Sequence, residues 1–392
     1  MRACAVAFVL ILCAPLAFAQ DFGLLIPQKL VVSTVDNVKY TASAVPWFAS
    51  PLGEKADLYL SGGFTVEYEG EKWKPLPEVF RFQAIYNPSA SLRLEAGRLY
   101  FQENLGWLMF GLFDGIAAAM NIKGGWLNAG AFYTGLLYKK DAGILITVQD
   151  RINYLDRDKY FASRRFVGGI NWEKTSIFDS DINLYASGFF QFDLNDSDFK
   201  INSQYLAAKF AVPFGSDFNA EWGAVFELAQ VTGNNTYSAF VVSAELQWLQ
   251  RFWLPGLMVF GGRYASGLWN NTFGAFSPIT GEAQGKVLRP MLSGIALVQA
   301  AYTLRPVRLF SAELSLAYLF RTDTVTFGSS GLDPESKSPL LGGEFFLNLF
   351  WTPFTDLLFT LGGGLFLPSM GKAFANDADV KYRVELTAVI SL

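Results

Sequence analysis

The sequence predicts an all-β protein, a transmembrane antiparallel β-barrel of about 18 strands, with 16 strands as the alternative. Apolar and polar residues alternate with a period of two along most of the chain, which gives each strand one apolar and one polar face. Mean hydropathy is high, at +0.24, although 17% of the residues are charged. Beyond residue 20 no run of about 18 apolar residues occurs, so no transmembrane helix is predicted. A closed barrel is then the remaining way to pair every backbone group in lipid.

Residues 1–19 are predicted to be a signal peptide, and residues 20–392 a single outer-membrane barrel domain. Arg2 supplies a positive start, residues 5–12 form an apolar segment, and residues 17–19 form a small-x-small cleavage site. Both cysteines, Cys4 and Cys13, lie in this segment, so the mature chain is predicted to have no disulfide. A lipoprotein that begins at Cys13 is disfavoured, because Leu12 stands where a small residue is expected.

The last segment, residues 381–392, shows the strand pattern most clearly. Val384 and Leu386 fall on one face, and Arg383 and Glu385 on the other. Outer-membrane barrels end on such a strand, which closes against the first. The same alternation occurs at residues 57–68, 80–86, 205–212, 221–228, 240–248, 310–321 and 341–349. Amphipathic helices would instead space their apolar residues by three and four.

The connections between these segments predict the strand count. Short turns rich in Gly, Pro, Asn and Asp are expected at residues 87–89, 123–124, 213–217, 249–255, 305–306 and 353–355. Long links are expected at residues 101–113, 139–160, 267–290, 322–339 and 368–380. Short turns and long loops occupy opposite ends of barrels of this class. The alternation holds if residues 28–35 are the first strand, turning at Asp36 and Asn37 into residues 38–47, which gives 18 strands.

Six tryptophans provide an independent indication of a membrane boundary. They fall at predicted strand ends on the short-turn side: Trp47, Trp126, Trp172, Trp222, Trp248 and Trp351. Because indole rings favour the headgroup level of a bilayer, we expect these residues to form an interface aromatic belt.

The composition excludes several classes of function. The chain has no histidine, which removes Ser-His catalysis and histidine metal sites. We therefore predict no enzyme activity, no cofactor, and no catalytic or metal-binding residues. The formal charge of −4 predicts no nucleic-acid partner.

Charged residues on the polar strand faces are the candidates for a pore lining. They are Glu67, Arg81, Arg93, Glu95, Lys209, Glu227, Glu245, Glu313, Glu344, Arg383 and Glu385. The signs are mixed with acids in excess, so the sequence predicts at most a mild preference for cations. A solvated wall whose charges pair across strands is the alternative interpretation.

Residues 139–165 form a candidate constriction loop. This long segment carries seven basic residues: Lys139, Lys140, Arg151, Arg157, Lys159, Arg164 and Arg165. Loops of this length are usually functional or disordered, so the segment either folds into the pore or remains a solvated external loop. Residues 106–113 are unusually apolar for an outward loop, and they either pack into the barrel mouth or extend the sixth strand.

One local pattern resembles a known family. Ala96-Gly97-Arg98, followed by a loop and then Phe113-Asp114-Gly115, resembles the alginate-export type of outer-membrane porin. The resemblance implies a monomeric barrel of 18 strands whose charged lumen passes an anionic polysaccharide.

The function predicted from the sequence is a porin-like channel in the bacterial outer membrane for passive diffusion of small hydrophilic solutes. Its predicted partners are outer-membrane lipid, the barrel-assembly machinery through the last strand, and the solutes themselves. Two alternatives remain open: a fatty-acid-type transporter of hydrophobic substrates, and a surface adhesin or antigen that acts through its loops.

Overall fold

The computed structural model describes residues 21–35, 37–177, 180–232, 235–252, 254–269 and 273–392. The predicted signal peptide and Asp36 of the predicted first turn lie outside these residues.

The described residues form a single sheet of 18 antiparallel strands. The strands are β1 (Asp21–Ser33), β2 (Asn37–Pro51), β3 (Ala56–Glu69), β4 (Lys72–Ser89), β5 (Leu92–Gln102), β6 (Phe110–Ile122), β7 (Gly125–Tyr133), β8 (Arg165–Ile177), β9 (Ile182–Asp193), β10 (Ile201–Phe214), β11 (Phe218–Val231), β12 (Asn235–Gln250), β13 (Gly256–Ala265), β14 (Ile295–Val307), β15 (Phe310–Arg321), β16 (Leu340–Phe354), β17 (Leu357–Leu367) and β18 (Lys381–Ser391). Two short helices, α1 (Lys139–Ala142) and α2 (Val148–Leu155), and a 3-10 turn (Pro368–Met370) lie in the connections. Among the described residues, no helix has the length and apolar character needed to cross a membrane.

Each strand pairs with the next one along the chain, and β18 returns to pair with β1, so the sheet is a closed barrel. At the closing seam Leu30 lies opposite Leu386 on one side and Tyr40 on the other. Leu386 is exposed on the outside, whereas Arg383 on the opposite face is buried. The predicted fold class and the count of 18 strands are confirmed, and the 16-strand alternative is wrong.

The first hairpin is longer than predicted. Strand β1 begins at Asp21 instead of residue 28, and β2 continues to Pro51. The added segment finds partners on both sides, because Phe22 lies opposite Phe48 of β2 and Leu25 lies opposite Ser391 of β18. Backbone pairing with β2 and β18 therefore holds this segment in the wall, although its residue alternation is weak.

The connections divide between the two ends of the barrel as predicted. At one end, the short-turn end, the β6–β7, β14–β15 and β16–β17 turns have only two residues each. The longest connections, at residues 134–164, 266–294, 322–339 and 368–380, all lie at the opposite, long-loop end. This distribution is that of transmembrane barrels.

The outer face of the barrel is apolar, and the largest hydrophobic core lies inside. Leu206, Ile116 and Leu316 are among the exposed outer residues. The internal core joins wall residues such as Val225 and Val241 to loop residues that are fully buried. The lumen is therefore partly filled by the barrel's own loops.

Candidate functional site in the barrel lumen

The strand register places all eleven predicted pore-lining residues on the lumen face, since directly opposed residues on neighbouring strands share a face. Several of them interact with one another or with other polar wall residues. Arg93 Nε lies 2.5 Å from Glu95, and Gln83 links Glu95 to Arg81. Lys209 lies 3.4 Å from Glu221, and Glu385 binds Lys29 at 3.0 Å. These pairings agree with a charged wall in which opposite signs alternate.

The β5–β6 loop, residues 103–109, turns down into the lumen. The buried carboxylate of Glu103 accepts hydrogen bonds from the backbone N–H groups of Leu105 at 2.6 Å and Leu108 at 3.1 Å. Burial raises the pKa of Glu103, although these donors oppose the rise. Asn104 reaches across to donate to the carbonyl of Trp172 on β8. The apolar segment therefore packs inside the barrel mouth, as one of the two alternatives proposed from the sequence, and β6 begins at Phe110.

The β7–β8 loop, residues 134–164, is held in the lumen by a buried ion cluster. Arg165, at the start of β8, is fully buried and binds Asp150 of α2 at 2.7 Å and Asp193 of β9 at 3.0 Å. Helix α2 begins with a capping box between Thr147 and Asp150. Because Asp150 both caps the helix and binds Arg165, it joins the loop directly to the wall.

The β13–β14 loop, residues 266–294, is held by acidic residues of the wall. Glu344 accepts from the backbone N–H of Leu288 at 3.1 Å and also from that of Lys286. Glu227 accepts from the backbone N–H of Ser277 at 2.8 Å. The carbonyl of Leu108 accepts from Ile279 at 2.9 Å, which connects this loop to the β5–β6 loop. Two of the predicted pore-lining acids thus anchor a loop instead of facing open water.

The inserted loops leave a cavity of about 570 Å³ on the side of β1 to β4, which we call the basic cavity. Its ionisable lining is mostly basic and consists of Lys29, Lys39, Lys74, Lys139, Lys140, Arg157, Arg289 and Arg383, against Glu67 and Glu69, with Tyr138 and Tyr154. Lys140 lies 3.2 Å from Glu67 and 2.6 Å from Glu69. Burial lowers the pKa of Lys140, but the two carboxylates outweigh that effect and hold it above its ordinary value.

A second cavity, of about 540 Å³, lies on the side of β10 to β16, and we call it the acidic cavity. Its ionisable lining is Lys209, Arg263 and Lys286 against Glu221, Glu245, Glu282, Glu313 and Glu344. Trp107 of the β5–β6 loop packs over the Arg263 guanidinium, with 4.3 Å between the Arg263 Cζ atom and the ring centroid. The basic cavity and the acidic cavity therefore have opposite electrostatic character.

The seven basic residues of the candidate constriction loop do not gather at one site. Lys139, Lys140 and Arg157 line the basic cavity. Arg165 is buried in the ion cluster, and Arg164 is exposed and binds Asp196 at 2.6 Å. Arg151 donates to the carbonyl of Leu145, and Lys159 donates to Asn153.

The sequence reasoning missed the wall residues Lys29, Lys39 and Lys74 of the basic cavity. Lys29 and Lys39 lie inside the predicted strands 28–35 and 38–47, but the lumen charges were counted only on the more regular strands. Lys74 precedes Pro75, and this proline conceals the beginning of β4.

Four of the six predicted belt tryptophans lie on the outer face towards the short-turn end. Trp222 and Trp351 are exposed there, and Trp248 stacks on Phe218 with 5.8 Å between ring centroids. Trp172 lies opposite Ala186 on the same outer face. Their role in an interface belt stays a prediction.

Trp47 and Trp126 depart from the expected belt, because the register turns both towards the lumen. Trp47 lies opposite Ser61 and stacks on Tyr59 with 6.2 Å between ring centroids. Trp126 lies opposite Glu173. A tryptophan at a strand end lies near the end of the barrel in either case. The strand register decides whether its side chain faces outward or into the lumen.

These observations define the class of protein as a large transmembrane-type β-barrel whose inserted loops divide a charged lumen. Among solved structures, the fold is similar to that of Pseudomonas aeruginosa OccK5 (OpdH), with a TM-score of 0.61, 12% identity, and 96% of this chain and 99% of that chain covered. It is also similar to the outer membrane protein OprD from Pseudomonas aeruginosa, with a TM-score of 0.61, 14% identity, and coverage of 96% and 94%. No family model and no curated protein matches the sequence.

Proposed function

We propose that the protein is a solute-selective channel of the bacterial outer membrane through which small hydrophilic solutes diffuse passively. One observation carries the proposal: loops fill part of the lumen of an 18-stranded barrel, and the basic and acidic cavities beside them are lined by charged side chains. A barrel of this size without inserted loops would be wide enough for an open aqueous channel. The inserted loops favour a narrow, charge-selective path.

The structural neighbours support this function, since they are OprD/Occ outer-membrane porins. By the same analogy, the long-loop end faces the cell exterior and the short-turn end faces the periplasm. Outer-membrane lipid around the apolar face and the barrel-assembly machinery at β18 remain proposed partners. The absence of enzyme activity also remains a prediction, supported by the channel character of the neighbours.

The narrower resemblance to alginate-export porins stays a prediction. Two of its motif residues are in contact: Arg98 binds Asp114 at 2.8 Å. This pair follows the outer face of β5 and β6, where Arg98 lies beside the exposed Tyr100. The motif therefore supports a shared wall structure more directly than a shared polysaccharide substrate.

The two alternative functions differ in what they require of the chain. A fatty-acid-type transporter requires an apolar substrate path through the lumen, whereas the basic and acidic cavities are lined by many charged side chains. An adhesin would act through outward loops, whereas the β5–β6, β7–β8 and β13–β14 loops place buried residues inside the barrel.

Swelling of liposomes tests the proposal. Vesicles that contain the purified barrel should swell in small sugars and amino acids and swell progressively less as solute size increases. Empty vesicles provide the baseline. Swelling no faster than this baseline for every solute would contradict the channel function.

A further inference from the structure

The barrel wall is incomplete between β4 and β5. The ladder that joins them ends at the pair Phe82 and Arg98. Towards the long-loop end, residues 72–81 of β4 pair with β3 alone, and residues 99–102 of β5 pair with β6 alone. Within the described part of the barrel, this is the longest stretch of strand without a neighbour on one side. We call this opening the lateral slit; at about 3.3 Å per residue its β4 edge is roughly 30 Å long.

The sequence of β4 is suited to a free edge. The carbonyl of Pro77 accepts from the Tyr160 hydroxyl at 3.2 Å, and the carbonyl of Val79 accepts from Arg98 at 2.5 Å, so both point into the slit. In a strand, alternate residues direct their backbone groups to the same side, which places Pro75 on this edge too. Proline has no N–H group and is confined to the edges of sheets. With proline at positions 75 and 77, this edge lacks two backbone N–H groups that would have no partner strand. The two prolines are therefore a sequence feature that suits the slit.

The base of the β7–β8 loop fills the slit and is held there by side chains. Residues Tyr138 and Phe161 form a bridge within this base. Arg98 donates to the carbonyl of Leu136 at 3.1 Å and binds Glu78 at 2.6 Å. The Tyr160 hydroxyl also donates to Glu78. A few side-chain hydrogen bonds therefore hold the wall together at the slit, where backbone pairing between β4 and β5 is missing.

The slit faces the apolar part of the membrane. At its long-loop end, Trp73 packs against Tyr68 and Tyr40 with centroid distances of 5.0 and 6.2 Å, forming an aromatic cluster of the kind that marks a membrane interface. Further down the wall, Phe82 and Tyr100 flank the slit and are about half exposed on the outer face. The slit thus extends from the interface towards the middle of the membrane.

The basic cavity lies directly behind the slit. Tyr138 lines this cavity and also packs against Tyr160, with 5.1 Å between ring centroids. Lys74 of the slit edge lines the same cavity, and its Nζ atom lies 6.0 Å from the Tyr138 ring centroid. A molecule in the slit would have an apolar environment on the membrane side and cationic side chains on the lumen side.

We propose that the slit is a lateral portal for an anionic amphiphile with a single alkyl chain. The acidic head group binds in the basic cavity, the alkyl chain lies in the slit, and the base of the β7–β8 loop moves aside to admit it. This role goes beyond diffusion of hydrophilic solutes along the lumen, and neither function requires the other.

Photo-crosslinking tests the portal on the full barrel in lipid vesicles. The probe is a twelve-carbon carboxylic acid with a diazirine near the end of its chain. We expect its adducts to concentrate in residues 73–82 and 134–162, several-fold above the outer face of β11 and β12. A probe of the same chain length with a neutral methyl ester provides the control and should label all outer strands to a similar extent.

Two pairs of variants separate the portal from general lipid contact. Lys39→Gln combined with Lys74→Gln should reduce acid labelling at the slit several-fold, whereas Lys209→Gln in the acidic cavity should not. Tyr160→Phe keeps the aromatic packing but removes the hydroxyl that closes the slit, and it should increase labelling. Tyr318→Phe is the matched control, because the Tyr318 hydroxyl donates to the carbonyl of Met370 at 2.7 Å on another part of the wall.

Adducts spread evenly around the barrel would overturn the proposal, and so would slit labelling that the double lysine variant leaves unchanged. Swelling of the same vesicles in sugars reports the channel function separately. Loss of swelling with slit labelling intact would count against the channel alone.

Discussion

At the scale of single residues, the adjacent arginines Arg164 and Arg165 have very different environments. Arg165 is fully buried between Asp150 and Asp193, and it also donates to Gln191 at 2.6 Å. Arg164 points to solvent and binds the exposed Asp196. Removing one partner of a buried ion cluster leaves uncompensated buried charges and lowers the stability of the fold. Exposed ion pairs contribute little to that stability.

Arg165→Gln should therefore destabilise the protein by about 3–5 kcal/mol, because Asp150 and Asp193 lose their shared cation. Unfolding by urea in detergent, followed by tryptophan fluorescence, measures the change. Arg164→Gln is the matched control and should unfold at the wild-type midpoint. Equal midpoints for both variants would refute the anchoring role of Arg165.

Asp141 of α1 is a residue through which we expect the channel to respond to pH. Burial raises the pKa of Asp141 to about 6, and the Glu67 carboxylate adds to the rise. An ordinary aspartate has a pKa near 4 and stays charged at pH 5. Asp141 is instead ionised at pH 7.5 and mostly neutral at pH 5, which makes its surroundings more positive as the pH falls.

We expect acidification from pH 7.5 to pH 5 to shift the reversal potential of the channel towards anion preference. Reversal potentials in a salt gradient across planar bilayers measure the shift. Other acids also respond to pH, so the informative quantity is the difference from Asp141→Asn. This variant should show a smaller shift, and a shift of wild-type size would contradict the assignment.

The element with the most influence on conduction is the β7–β8 loop. It places Lys139, Lys140 and Arg157 in the basic cavity and contributes Leu137 and Ile144 to the internal core. Its removal would widen the lumen and delete part of the positive lining. The remaining wall would retain the acids of the opposite side.

Replacing residues 139–159 by a short glycine linker removes all three of these basic residues, and it should raise conductance and shift selectivity towards cations together. Single-channel recordings in planar bilayers give both quantities. Glycine substitutions at residues 196–198, in the exposed β9–β10 loop, serve as the control for changes at the long-loop end. Unchanged conductance and reversal potential in the deletion would place the loop outside the conducting path.

The strands show what sequence reasoning predicted and where it failed. Alternation predicted the wall faces of β3, β11 and β18, because a one-residue change of register would turn every apolar side chain inward. It failed at the beginning of β4, because the alternation recognised in the sequence starts only at residue 80, whereas the strand starts at Lys72. The inward course of the β13–β14 loop was also missed, because Glu344 and Glu227 bind its backbone N–H groups, and such bonds have no local sequence signature.

For the whole molecule, insertion depends on an unbroken apolar exterior. Leu386 lies on the outer face of β18, and Glu385, its neighbour along the strand, faces the lumen and binds Lys29. A basic side chain on the lipid face at mid-membrane costs roughly 2–4 kcal/mol, and an acidic one costs less. Positions 386 and 385 thus test the outer face and the lumen face of the same strand.

Leu386→Asp should reduce the folded fraction, whereas Glu385→Gln should assemble normally. Heat-modifiable mobility on gels distinguishes folded from unfolded barrel for both proteins. The same assembly yield for both variants would show that the two faces of β18 are assigned incorrectly.

The closing seam has a consequence for the order of assembly. Thr34 near the start of the barrel donates to the carbonyl of Tyr382 near its end, 348 positions along the chain. Contacts this distant in sequence form slowly, because the intervening chain has to be ordered first. Neighbouring strands are close in sequence, so we expect their ladders to form before this seam does. The contact between the first and the last strand is then the step that completes the cylinder.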